Sequence, residues 1–521
     1  MRDATSAASE TVFTRCASGR IEHAAGLLGT YQYVFLTLAS LAYFAITCYQ
    51  AHRKLFWFDE IFTFYIARLP NIASIWAACT HGADFNPPLL YLLTRWSQNL
   101  FGATELATRL PQIIGFWIFC LCLYRFVSLR TNALAAFIAL LFPLTAKAYW
   151  YAYDARSHGL VLGFFGLAFI SWQSAANRAP HSWLPIAGLA ASLTLAALCH
   201  CYAFILFIPL IFGELTRSYI CKRINPAVWA ALVLPALISV VTVLPLLHSV
   251  GSNLGSMAAM PSLANLWTGW DLTFAPPVAF LILMLLTIPA SKTEAAACKF
   301  SWPETTALVV MLCTPFFAFA AAVMARAPIF GRYSLIATGA VACLIGTAAA
   351  RSSLTGALVL ILTVLFIGGD TAAFQRRSEM EEPSSRTKVS TRFALMNSRF
   401  DLIWSSAPGS EPVVLLNNIT YAPMFHYAPP DLRSRLVFLT PEGPLSVLGE
   451  TYQRLQSCCG APGTVFPQAA FLAAHRTFYA YGELPDADIF RQLGGTVTNQ
   501  GCALESCVLR IVFPAVSSAH E

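Results

Sequence analysis

Charge is what this sequence has least of. Asp, Glu, Lys and Arg make up 11% of its 521 residues, against about a quarter in an average soluble protein. With 57% hydrophobic residues, the composition excludes an ordinary soluble enzyme and points to a polytopic membrane protein. A formal charge of +7 would suggest nucleic acid in a soluble chain. Here Lys and Arg fall mostly between apolar runs, where they set topology, and no nucleic-acid partner is expected. A Gly-rich phosphate loop following a strand is also missing, which removes the usual signature of a nucleotide-binding module. Internal repeats and low-complexity segments are absent. The first thirty residues are mixed polar, so no cleavable signal peptide is expected and the first apolar run stays as a membrane anchor.

What is there is a series of apolar runs. A membrane helix needs about 20 largely apolar residues. Eleven stretches are candidates: 31–50, 111–128, 133–149, 158–175, 183–199, 203–216, 226–247, 276–290, 304–325, 333–350 and 354–370. If the N-terminal segment 1–30 is cytoplasmic, the cytoplasmic connections collect Arg2, Arg15, Arg20, Arg125, Arg130, Arg178, Arg217 and others, while the opposite short loops hold only Arg156, Arg326 and Arg332. The positive-inside tendency then orients the chain. The loop 51–110 and everything after 371 fall on the outer face.

The expected fold class is therefore an α-helical polytopic membrane protein with a transmembrane domain over 31–370, a charged linker over 371–398 and a small extracytoplasmic α/β domain over 399–521. In the tail, "PVVLLNN", "RLVFLT" and "CVLRIVFP" read as strands separated by turn residues. Most of the fifteen Cys lie in apolar runs and pack as small apolar side chains. Cys458, Cys459, Cys502 and Cys507 sit in the tail, where an oxidising compartment would let them pair.

The loop 51–110 carries the most chemistry. In "FWFDEIFTFYIARL" aromatic and aliphatic residues surround nearly the whole helical circumference, which suits a helix at the membrane interface packed against others. Asp59 and Glu60 then point into protein or a wet cavity, since charge facing lipid is costly. Such shielding tunes a general base; the plainer role is a helix N-terminal charge. Farther on, Pro87 and Pro88 force Asn86 out of helix and start a new helix at Leu89.

The acidic pair, the run "PPLLYLLTRW", then "FGATELATRLP", "YAYDARSHGLVLGF" and "IFGRYSLIATGAVACL" together resemble the family 39 branch of the C-type membrane glycosyltransferases. That branch includes protein O-mannosyltransferases and the aminoarabinose transferase acting on lipid A. The match is good over Leu55–Phe164 and moderate over Ile329–Leu344, and the tail is unmatched. His158 stands where the family usually has an aromatic, and Asn86 where it often has His. The resemblance implies that Asp59 acts as general base on the acceptor hydroxyl while the sugar leaves a polyprenyl phosphate, with Glu60 the second choice. Inversion needs one carboxylate behind the anomeric carbon and no second nucleophile.

The leaving phosphate calls for fixed positive charge. Arg156 and Arg332 lie where outer loops meet helices, Lys147 sits at the outer end of a helix, and Tyr333 completes the Arg-Tyr pair of the late motif. Each of these cations also suits interfacial snorkelling. Asp154, His81, Asp84 and His158 are candidates for holding substrate. His81, Asp84, His158 and His200 are residue types that suit a divalent ion, but their spacing diagnoses none, so neither metal nor cofactor is assigned. Glu214 beside Arg217 reads as an intrahelical ion pair.

The expected partners are a polyprenyl-phosphate sugar donor and a lipid, glycan or protein acceptor at a bacterial inner membrane, with the site facing outward. The rival reading is a transporter or flippase of a lipid-linked or envelope substrate, since many helices with charged residues also suit transport. Against it, the candidate charges gather at one face and the two halves look unrelated. A scaffold whose tail binds partners is a third reading; it predicts that Asp59 is replaceable.

Overall fold

A computed structural model describes residues 23–24, 26–84, 86–177, 183–257, 261–271, 300–325, 330–349, 353–380, 394–440, 452–456, 463–503 and 506–514. Among them, the helices Gln32–Arg53, Glu105–Ser128, His158–Ala175, Cys201–Cys221 and Leu354–Phe374 are long and apolar enough to cross a membrane. Two bent pairs bring the number to as many as seven, and Trp183–Ala197, Pro226–Val241 and Ala337–Ala349 are shorter apolar helices. The candidate 276–290 lies outside the described residues.

The bends depart from the sequence reading and have physical causes. The run 133–149 is not one helix: Ala133–Leu141 gives way to a tight turn, Phe142–Leu144, and the chain resumes as Lys147–Tyr153 at 73°. Pro143 has no N–H for the preceding turn and its ring crowds the carbonyl four residues back. The run 304–325 likewise splits into Trp302–Leu312 and Thr314–Ala325, bent by 53°, with Pro315 just after the break. A short helix that the apolar runs did not reveal, Leu263–Asp271, packs on the turn Gly331–Ser334.

The described residues separate into two compact units, one lying within 1–51, 86–245 and 258–374, the other within 52–85, 246–257 and 375–521. In the first, Glu105–Ser128 lies against His158–Asn177 with almost no space between backbones. A Cβ added at Gly163 would fall 2.5 Å from the Gly115 carbonyl oxygen, and one at Gly159 would fall 2.4 Å from that of Gln112. Small residues four apart are how helices in lipid approach this closely. Gly163→Val should force the pair apart, costing about 1–3 kcal/mol or more. The expected readout is a lower Tm in detergent, and an unchanged Tm would refute the close packing.

Two buried carboxylates in this unit are paired. Glu304 accepts from Arg130 at 2.9 Å, from Gln173 at 2.7 Å and from the Ser301 backbone N–H at 2.8 Å. Glu214 pairs with Arg217 one turn on, as the sequence suggests, and also accepts from the Trp172 indole at 3.1 Å.

In the second unit the tail is the expected small α/β domain. Its sheet runs β3-β2-β1-β4-β6-β5, with β1 Val413–Leu415, β2 Leu436–Thr440, β3 Val465–Pro467, β4 Thr477–Gly482, β5 Thr496–Ala503 and β6 Ser506–Val512. Strands β1 to β4 pair in parallel and β6 pairs antiparallel with β4 and β5. The central strands β1 and β2 are buried along their whole length, which is why they read as unbroken apolar runs. Cys502 and Cys507 form a disulfide across the β5–β6 hairpin, whereas Cys458 and Cys459 lie outside the described residues.

Candidate active site

Within the first unit, the break after Thr145 puts Lys147 at the head of the turn Lys147–Tyr153. Its ammonium pairs with Asp271 at 2.6 Å. Asp154 ends that turn and its carbonyl accepts the Arg156 N–H at 2.7 Å, a tight reversal that brings the half-buried Arg156 to the first turn of the helix His158–Asn177. His158 is buried, its ring edge-on to Tyr151 at 5.1 Å and 5.4 Å from the ring of His200. Arg156 precedes His158 by two residues, just before the helix.

Arg332 and Tyr333 come from the turn Gly331–Ser334. The Arg332 guanidinium lies 4.5 Å from the centre of the Phe330 ring. Tyr333 stacks on Tyr202 at 3.8 Å, and His200 lies 5.8 Å from Tyr333. His200 caps the turn Cys201–Leu206, its Nδ1 accepting the Tyr202 N–H at 2.9 Å. The proton of the neutral ring is thereby assigned to Nε2. The result is a set of cations and hydrogen-bond donors framed by aromatic rings: Arg156, Arg332, His158, His200, Tyr202 and Tyr333. Fixed guanidinium charge beside such donors is suited to an anion, and to phosphate in particular.

Asp59 and Glu60 lie in the second unit, in the first turn of the helix Phe58–Ala67, where negative charge is favoured. The two differ sharply. Glu60 is fully buried; its carboxylate accepts the Trp57 N–H at 2.8 Å and lies 3.6 Å from the Lys54 ammonium. It therefore fills the helix-capping role that the sequence left open for either acid. Asp59 is only half-buried. His81 is exposed and ends the helix Ile72–Thr80, its Nδ1 2.6 Å from the Ala77 carbonyl oxygen, while Asp84 is buried. Among the described residues no group of three or more His, Cys, Asp or Glu could hold a metal ion.

Two partners escaped the sequence reading. Asp271 ends the amphipathic stretch "LWTGWD", too short and too polar to register as a membrane span. Tyr202 lies in the six-residue turn Cys201–Leu206, at the break between the expected spans 183–199 and 203–216.

No protein-family model matches this chain, and no curated protein matches it in sequence. Its fold is similar to that of a solved membrane protein, ArnT, in line with the resemblance that the order of motifs suggests. Specifically, the crystal structure of ArnT from Cupriavidus metallidurans in the apo state aligns over 92% of this chain and 98% of that one, with a TM-score of 0.55 at 12% identity. ArnT bound to undecaprenyl phosphate aligns over the same shares, with a TM-score of 0.54 at 13% identity.

Proposed function

We propose that this protein is an integral membrane glycosyltransferase that moves a sugar from a polyprenyl-phosphate donor to a hydroxyl of a lipid, glycan or protein acceptor. The observation that carries this reading is the Arg156, Arg332 and histidine-tyrosine cluster, set in a fold whose ArnT counterpart binds undecaprenyl phosphate. Asp59 takes the proton of the acceptor hydroxyl, and the oxygen attacks the anomeric carbon. The bond from that carbon to the phosphate oxygen breaks, and polyprenyl phosphate leaves with the electron pair.

Arg156 and Arg332 receive the growing phosphate charge, with Lys147 and Tyr333 as further donors. Asp154, His81, Asp84 and His158 are left to hold the sugar or acceptor. The site and the tail face away from the cytoplasm of a bacterial inner membrane; the Cys502–Cys507 disulfide supports that placement, since such bonds persist in oxidising compartments.

One carboxylate and a phosphate leaving group make a single displacement, so the product's anomeric configuration should be inverted relative to the donor. NMR of the glycosylated product tests this. Retention would require a covalent sugar intermediate and would overturn the assignment of Asp59 as base.

A further inference from the structure

The helix bearing Asp59 has ten residues, and a helix this short is marginal in isolation. Its stability has to come from what it packs on. In the same unit, it lies against the helix Asn418–Tyr427 of the C-terminal domain, and two consecutive residues of that helix grip it at both ends. At its entry, the Tyr427 hydroxyl accepts the backbone N–H of Phe56 at 2.9 Å. In its last turn, the Tyr65 hydroxyl and the Nδ1 of His426 are 3.0 Å apart.

The rings reinforce this grip. His426 is met edge-on by Phe56 at 5.7 Å, Phe64 at 5.2 Å and Tyr65 at 5.7 Å. Between the two ends, Phe62 meets Tyr452 edge-on at 5.8 Å. Burial pushes the Tyr65 hydroxyl above its ordinary pKa, partly offset by Arg433 and Arg68. Tyr65 therefore keeps its proton, and the hydrogen bond to His426 Nδ1 runs in the direction that the histidine tautomer sets.

We infer that the C-terminal domain is the platform that positions the catalytic acidic helix, with His426 and Tyr427 as its positioning residues. The inference rests on the reading of Asp59 as base. A base held at the wrong distance loses rate without losing substrate: a misplacement of about 1 Å is enough for roughly a hundredfold.

The test uses the full-length protein in lipid nanodiscs, with Asp59→Asn run beside His426→Leu, Tyr427→Phe and His426→Asn. For each, kcat, the donor KM and hydrogen exchange over residues 56–67 are measured. His426→Leu and Tyr427→Phe should lower kcat by about 10- to 100-fold at unchanged donor KM, with faster exchange over 56–67. His426→Asn should restore most of the rate, because its amide offers both an acceptor and a donor to the Tyr65 hydroxyl about where Nδ1 was. Wild-type kcat and exchange in His426→Leu and Tyr427→Phe would overturn the inference, as would a loss explained wholly by less folded protein. If Asp59→Asn is inactive while those variants are normal, the platform fails and the base stands. If Asp59→Asn stays active while they slow turnover, the base assignment fails instead.

Discussion

Asp59→Asn should lower kcat by about 10²- to 10⁴-fold, the contribution expected of a positioned general base, and leave donor binding intact. Asn keeps the shape of the side chain and a hydrogen-bonding carbonyl but does not take up the acceptor's proton. The adjacent acid supplies the control. Glu60 is buried, accepts the Trp57 N–H at 2.8 Å and faces Lys54, so Glu60→Gln removes a charge that works for the helix. It should lower Tm and reduce turnover per folded molecule far less than Asp59→Asn. Turnover by matched amounts of folded protein separates the two. Equal losses would mean that the pair acts together, and a larger loss at Glu60 would transfer the role of base to it.

The second large effect is on the donor. Arg156→Gln and Arg332→Gln should each weaken polyprenyl-phosphate binding by about 10- to 100-fold, the loss expected for a charge-assisted hydrogen bond of roughly 1.5–3 kcal/mol. Arg332→Lys should recover only part of this, because a point charge lacks the planar fork and the stacking on Phe330. Titration of polyprenyl phosphate into the purified variants measures it. Wild-type affinity in both Gln variants would leave the two Arg as interfacial side chains that snorkel.

Much of this was legible in the sequence because buried helices and buried strands write themselves as apolar runs. The helix Phe58–Ala67, the start at Leu89 after Pro88, and strands β1, β2 and β6 all fall where the residues placed them. Apolar length alone does not encode interruption. The chain at 133–149 and at 304–325 has the composition of one span but the prolines of two segments, and the first break is what sets Lys147 at the head of its turn. Polar segments left less trace. Strand β5 is an exposed edge with the sequence "TVTNQGCA", and the helix ending in Asp271 is only nine residues long.

The preference for Asp59 over Glu60 comes from the family resemblance, since adjacent acids share every local signal. Backbone geometry, with Glu60 three residues after Trp57 and folded back on its N–H, shows which of the two acids caps the helix. The pairing of the acidic loop with the tail depends on contacts between residues more than three hundred positions apart, such as Phe56 with Tyr427. No local pattern reports these.

The most direct measurement is the release of free polyprenyl phosphate from radiolabelled polyprenyl-phosphate sugars by the protein in lipid nanodiscs, with wild type and Asp59→Asn compared at equal donor occupancy. The account predicts release by the wild type in the presence of acceptor and its loss in Asp59→Asn with donor still bound. Intact donor throughout, together with passage of the labelled lipid across the bilayer when the same protein is placed in liposomes, would contradict it and identify a transporter.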